Sequence, residues 1–196
     1  MGLQLIASRV LAPFFGNSIF VWASLITTFL AAFSAGSFIG AAVSSRPVAI
    51  QAKIMAVLMV TTSGWLLFDS LAGYAVTGSL DLQIDSLPSK LIIVCLLLYF
   101  VPVAALSALT PVCVGFYDRI QKSAGRSAGI LNGVSTLGNI GGVLLTAFVL
   151  IPTFGVRNLL HCWWSASVLI QLLLWFVLHS RYWGSRWSFA TALPLK

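Results

Sequence analysis

From Ile19 to Val43 the chain runs for 25 residues without a charged side chain. Leu91–Tyr117 and Ser127–Ile151 are uncharged too, 158–180 holds no Asp, Glu, Lys or Arg, and Ile54–Leu80 holds one charge, Asp69. About 20 apolar residues in a helix cross the hydrocarbon core of a bilayer. Inside that core only helices and closed barrels pair all their main-chain groups, and runs of this length are helical. Five such runs in 196 residues predict an all-α polytopic membrane bundle with no room for a soluble domain. Residues 1–196 read as one integral membrane domain, with five full transmembrane helices at about 18–44, 53–76, 90–117, 127–151 and 156–178. A short N-terminal half-helix precedes them.

Composition excludes several function classes. Charged residues make up 8% of the chain, against about 25% in a soluble domain. Eleven Lys and Arg outweigh four Asp, and there is no Glu. On a soluble chain that excess would suggest nucleic acid. Here the basic residues fall between the apolar runs and in the tails, where they set topology and meet anionic lipid. The expected partners are the bilayer and another protein subunit or a second copy, with no nucleic acid. Cys95, Cys113 and Cys162 all lie inside apolar runs, which is no disulfide framework. His161 and His179 sit at opposite ends of one run, so no metal or cofactor site is expected. A phosphate loop, converging carboxylates and a nucleophile beside a base are all missing, so the chain does not read as an enzyme.

The basic residues also predict orientation. With the turn after the first span on the cytoplasmic side, that side carries Arg46, Lys53, Arg119, Lys122, Arg126, Arg181, Arg186 and Lys196. The other side carries Arg9, Lys90 and Arg157. The bias predicts a cytoplasmic C-terminus in a bacterial-type inner (plasma) membrane. Tyr182, Trp183 and Trp187 beside Arg181 and Arg186 read as an interfacial anchor. The longest connection, 77–89, contains Gly78, Asp81, Asp85 and Pro88 and reads as an exposed loop. Met1–Ala12 lacks the basic start of a signal peptide, and Arg9 interrupts it. Met1–Phe15 is too short to span and is expected to stop at Pro13. It would lie in the interface or form the last turns of a helix whose first half is missing.

Polar and small residues within the spans are the candidate functional positions. Asp69 is the one acid in a span, and an intramembrane carboxylate is a functional-site candidate by default. It shares a helix face with Thr62, Trp65 and Gly73, close to the non-cytoplasmic interface. Ion or proton coupling, helix pairing, or a solvated rim acid are its alternatives. Asn132 and Asn139, seven apart, lie on one face of the fourth span, and Gln171 sits within the fifth as a candidate interhelical contact. Gly129 and Gly133, like Gly138 and Gly142, are spaced by four. Small residues at that spacing let helix backbones approach closely, so tight packing in the bundle or across an oligomer contact is expected. A substrate-lining role for that helix is the alternative. Pro102 and Pro111 each remove one helical hydrogen bond and free the carbonyls of Leu98 and Ser107. Such breaks mark binding sites in some transporters and are also common in ordinary membrane helices.

Three stretches resemble one family. They are Ala7-Ser-Arg-Val-Leu-Ala-Pro-Phe-Phe-Gly-Asn-Ser-Ile-Phe-Val-Trp22 with Gly36-Ser-Phe-Ile-Gly40, then Gly125-Arg-Ser-Ala-Gly129 with Ser135-Thr-Leu-Gly138, then Ile151-Pro-Thr-Phe-Gly-Val-Arg157. In order and spacing they resemble the membrane half of spermidine-synthase-like proteins over about Gln4–Leu178. The resemblance implies a bundle related to the major facilitator superfamily, which in that family precedes a cytoplasmic aminopropyltransferase-like domain. No stretch here matches that soluble domain, and the family's first helix is expected to be cut at Met1. After Gly40 the family shows a second glycine and an Ala-Asp-Arg turn, where this chain reads Ala41-Ala-Val-Ser-Ser-Arg46. Polyamine synthesis is therefore not expected.

The leading expectation is a non-enzymatic membrane subunit that docks a partner or belongs to a larger membrane complex. A small transporter or half-transporter of the facilitator type is the second reading. An inactive truncated remnant is the third.

Overall fold

The computed structural model describes residues 1–83, 86–121, 123–154 and 158–173. Helices account for nearly all of them, and no strand occurs among the described residues. In order they are α1 (Gly2–Phe15), α2 (Ile19–Ser44), α3 (Val48–Gln83), α4 (Leu87–Cys95), a π-helical turn (Leu96–Phe100), α5 (Val101–Gln121), α6 (Ala124–Leu145), a second π turn (Thr146–Leu150), α7 (Ile151–Thr153) and α8 (158–173). Four continuous segments are long and apolar enough to cross a membrane: Ile19–Ser44, Ile50–Leu80, Leu87–Asp118 and Ala124–Thr153. The chain is an integral membrane helical bundle. The fifth expected span is helical over 158–173, and its residues 156, 157 and 174–178 lie outside the described ones. So do Asp85 and the expected tail anchor, Tyr182, Trp183 and Trp187.

Two expected boundaries move. The second span does not end near Val76: α3 continues to Gln83, so most of the expected 77–89 loop is helix. Thr77 and Ser79 donate to the carbonyls of Gly73 and Ala75 at 2.8 Å and stay within the helical turn. Gly78 alone costs a helix only about 1 kcal/mol. Pro88 falls in the first turn of α4, where a missing N–H is harmless. At the other end of the chain, α1 passes through Pro13 to Phe15. It ends because Gly16 adopts φ +69° and donates its N–H to the Ala12 carbonyl at 2.9 Å. Glycine takes that conformation without steric cost.

The short first helix is the centre of the bundle. Leu3, Ala7, Leu11 and Phe15, one face of α1, pack with Val21, Leu25 and Phe29 of α2 and with Leu91, Val94, Leu98 and Tyr99. Ile6 and Val10, on another face, pack with Leu159 and Leu160 of α8. Two faces of Met1–Phe15 are thus covered by protein, while Arg9 and Pro13 remain exposed. Lipid tails are as apolar as leucine, so close packing and hydrogen bonds hold such helices together.

The closest packing joins α2 and α5, which run parallel. A Cβ on Gly36 would meet the Ala104 carbonyl, and one on Gly40 would meet the Ala108 carbonyl. Two small residues four apart on α2 thus face two small residues four apart on α5. The tight contact expected of Gly129, Gly133 and Gly138 is not made within the described bundle, whereas the Gly142 carbonyl lies 3.2 Å from where a Cβ on Gly2 of α1 would stand. Nothing lies within 4 Å of a Cβ built on any of them. The helix that carries them is little covered by the rest of the described chain. Only 6% of the most apolar window of Ala124–Thr153 is buried, against 56% for Leu87–Asp118.

Both π turns directly precede an X-Pro pair, Val101-Pro102 and Ile151-Pro152. A proline ring collides with the carbonyl four residues earlier and offers it no N–H. A widened turn accommodates the misfit without breaking the helix.

Candidate functional site

A cleft lies between α6 and the α2–α5 pair. Its volume is about 720 Å³. Each wall is one helical stripe: Phe29, Phe33, Ser37, Ala41 and Ser44 from α2, and Asn132, Ser135 and Asn139 from α6. From α5 come Ser107, Thr110 and Pro111 among others. Leu3 and Trp163 stand at one end, and Asp118 and Ala124 at the other. The cleft occupies the half of the bundle nearest the α2–α3 and α5–α6 turns.

The floor of the cleft is hydrogen-bonded. The Ser107 hydroxyl donates to the Phe33 carbonyl at 2.8 Å, and Ser37 Oγ lies 3.4 Å from Ser107 Oγ. With its proton directed at Phe33, Ser107 is the acceptor in the serine pair and Ser37 the donor. Pro111 leaves the Ser107 carbonyl without its helical donor at the same level. On the opposite wall Asn132 and Asn139 are exposed towards the opening. The buried indole Nε1 of Trp163 has no hydrogen-bond partner. The lining is hydroxyl, amide and indole with Asp118 at one end, a set that can hydrogen-bond a guest.

The remaining candidates lie elsewhere. Asp69 is 1% exposed, on the buried face of α3 with Thr62 and Gly73, and neither carboxylate oxygen has a hydrogen-bond partner. A solvated rim position is corrected by that burial, because the surrounding helices close over α3 at this level. Gln171 is half-buried on α8 and does not line the cleft. Pro102 is separate as well: the Leu98 carbonyl it leaves free accepts the Trp65 indole N–H of α3 at 3.0 Å. That break is filled by packing, whereas the one at Pro111 faces the cleft.

Sequence reasoning named Ser107 only for its freed carbonyl and did not single out Ser37, Thr110 or Tyr99. Ser37 lies inside the Gly36–Gly40 pair and Ser107 one turn before Pro111, which are the signals that point to them. Gln51 was missed as well. Fully buried, it donates from Nε2 to the carbonyls of Ser44 at 2.5 Å and Arg46 at 2.8 Å, closing the α2–α3 turn.

No protein-family model matches the chain, and no curated protein or solved structure does so either.

Proposed function

We propose that this chain is a non-enzymatic integral membrane subunit of five spans, built like the membrane half of spermidine-synthase-like proteins, which docks a transmembrane helix of a partner subunit along α6. The observation that carries this reading is the uncovered small-residue face of α6 beside a polar cleft. Acyl chains cannot hydrogen-bond Asn132, Ser135 or Asn139, and a polar group left in hydrocarbon is costly. A partner helix with small and hydroxyl residues would approach the glycines closely and bond the amides. Leu137 and Val134, 70% and 66% exposed on the same helix, would add apolar contact.

The test places a photo-crosslinking residue at Leu137 in native membranes, with Phe38 of α2 and Val60 of α3 as lipid-facing controls. The expected result is one protein adduct at Leu137, none at the controls, and loss of the adduct in Gly133→Leu. Adducts with lipid alone would overturn the reading. An adduct with a second copy of the chain would make the partner itself.

A half-transporter is the second reading, favoured by the convergence of Ser37, Ser107, Thr110, Asn132 and Asn139 on one cleft. Solute uptake by liposomes holding the purified chain, lost in Asn139→Leu, would select it over docking.

A further inference from the structure

Three helices share one long groove, and α1 fills half of it. On α2, Val21, Leu25 and Phe29 pack in one core with α1, and the same stripe runs on as Phe33, Ser37 and Ala41 in the wall of the cleft. Steps of four residues keep these side chains on one helix face. The continuous segment Leu87–Asp118 repeats the pattern. Its Leu91, Cys95 and Leu98 belong to the core around α1, and Val103, Ser107 and Thr110 follow in the cleft. The third wall is α6 with the π turn that extends it. Thr146 Oγ1 lies 2.8 Å from where a Cβ on Gly2 of α1 would stand, and Asn139 and Asn132, at steps of seven, carry that face into the cleft. Leu3, Phe29 and Val103 belong to both regions, buried in the core and lining the cleft. The cleft is the prolongation of the groove in which α1 lies.

Size and end chemistry say what fits there. From Phe33 to Ser44 the chain advances eleven residues, about 16 Å of helix at 1.5 Å each. A helix about 10 Å across, sunk to half its cross-section over that length, takes up roughly 650 Å³, and the cleft holds about 720 Å³. The two ends of the cleft differ. At the α1 end stands Trp163, whose buried indole N–H has no partner. At the other stands Asp118, whose buried Oδ1 accepts no hydrogen bond. A helix leaves carbonyls unpaired at its C-terminus and N–H groups unpaired at its N-terminus. An indole donor suits the first and a carboxylate suits the second, where the helix dipole is positive.

We propose that the cleft seats a half-membrane helix of a partner subunit, coaxial with α1, with its N-terminal turn at Asp118 and its C-terminal turn at Trp163. Its inner face carries hydroxyl or amide side chains, which meet Ser37, Ser107 and the two asparagines. The inference rests on the partner-docking reading and states where the helix lies: in the groove against α2 and α5, not on the outer face of α6.

The experiment uses the full chain in native membranes. A diazirine-bearing residue replaces Ser37 or Ala41, both exposed in the groove, or Leu137, which does not line it. Adducts are sequenced by mass spectrometry. The expected result is that Ser37 and Ala41 label one segment of one partner protein, at residues three or four apart, with the Ala41 adduct on the N-terminal side. Asp118→Leu should lower both yields roughly twofold to fivefold, the effect of removing one charge from a helix terminus. Unchanged yields, or the reverse order of adducts, overturn the assigned direction of the helix. Lipid adducts alone at Ser37 and Ala41 overturn the proposal, as do adducts with a second copy or with the same polypeptide. A protein adduct at Leu137 with none at Ser37 or Ala41 overturns the groove and leaves docking along α6 standing. No protein adduct at any of the three overturns both.

Discussion

The indole N–H of Trp65 on α3 donates to the main-chain oxygen of Leu98, 3.0 Å away, the carbonyl from which Pro102 withholds a helical partner. A gap in one membrane helix is thus filled by the side chain of another, and α3 is pinned to the π turn. Trp65→Phe keeps much of the ring and removes the donor. We expect a loss of about 1–2 kcal/mol, since the buried carbonyl is left unpaired. In Pro102→Ala, position 102 regains its own N–H, and the same tryptophan substitution should cost less. A double-mutant cycle of detergent unfolding measures the coupling. Additive effects would show that the bond carries no stability.

Gly36 and Gly40 should tolerate no larger side chain, because the Ala104 and Ala108 carbonyls occupy the space. Gly36→Leu is expected to lower stability by about 3 kcal/mol or more, at or beyond the top of the usual overpacking range. Gly133→Leu should leave the fold intact, having open space around it. Thermal unfolding in mild detergent compares the two. Equal losses would place a second packing surface on α6 within the single chain.

Ser107→Ala removes the hydroxyl that bonds Phe33 and faces Ser37. The expected cost is about 0.6 kcal/mol, the average for polar contacts between membrane helices, and at most about 1.7 kcal/mol. Ser37→Ala should cost less, because the Ser107–Phe33 bond survives it. Paired unfolding curves check the order, and a reversed order would mean that Ser37 anchors the pair.

Topology has a direct test in three exposed serines at helix ends, Ser45, Ser86 and Ser123. Replaced singly by cysteine, Ser45 and Ser123 should react with an impermeant thiol reagent from one side of the membrane and Ser86 from the other. The basic bias of the loops assigns the first pair to the cytoplasm. Labelling of Ser45 and Ser123 from opposite faces would break the alternation of spans on which the bundle rests.

The spans were legible wherever charge is absent for long enough. Ile19–Ser44 falls within one residue of the expected 18–44. The end of α3 was not legible, because Gly78 and Asp81 resemble loop residues although neither stops the helix, which runs on to Gln83. The place of α1 was hidden as well. Fourteen residues at 1.5 Å each are about 21 Å, too short to announce a span, and burial came from neighbours contributed by four other helices.

Glycine spacing shows most clearly where the sequence stops. Gly36/Gly40 and Gly129/Gly133 carry the same four-residue period, yet one pair is locked against α5 and the other faces open space. Period fixes which residues share a helix face; the direction of that face depends on how the helices pack. The same holds for the polar groups. Sequence alone determined that Asp69, Asn132 and Asn139 sit at membrane depth on helices, since hydrogen bonding in hydrocarbon allows no other backbone. Only the tertiary structure decided that the two asparagines share a cleft with Ser37 and Ser107, and that Asp69 is buried in the interior. Those meetings follow from the rotation and tilt of packed helices, which depend on side-chain fit across the whole bundle and leave no local period to read.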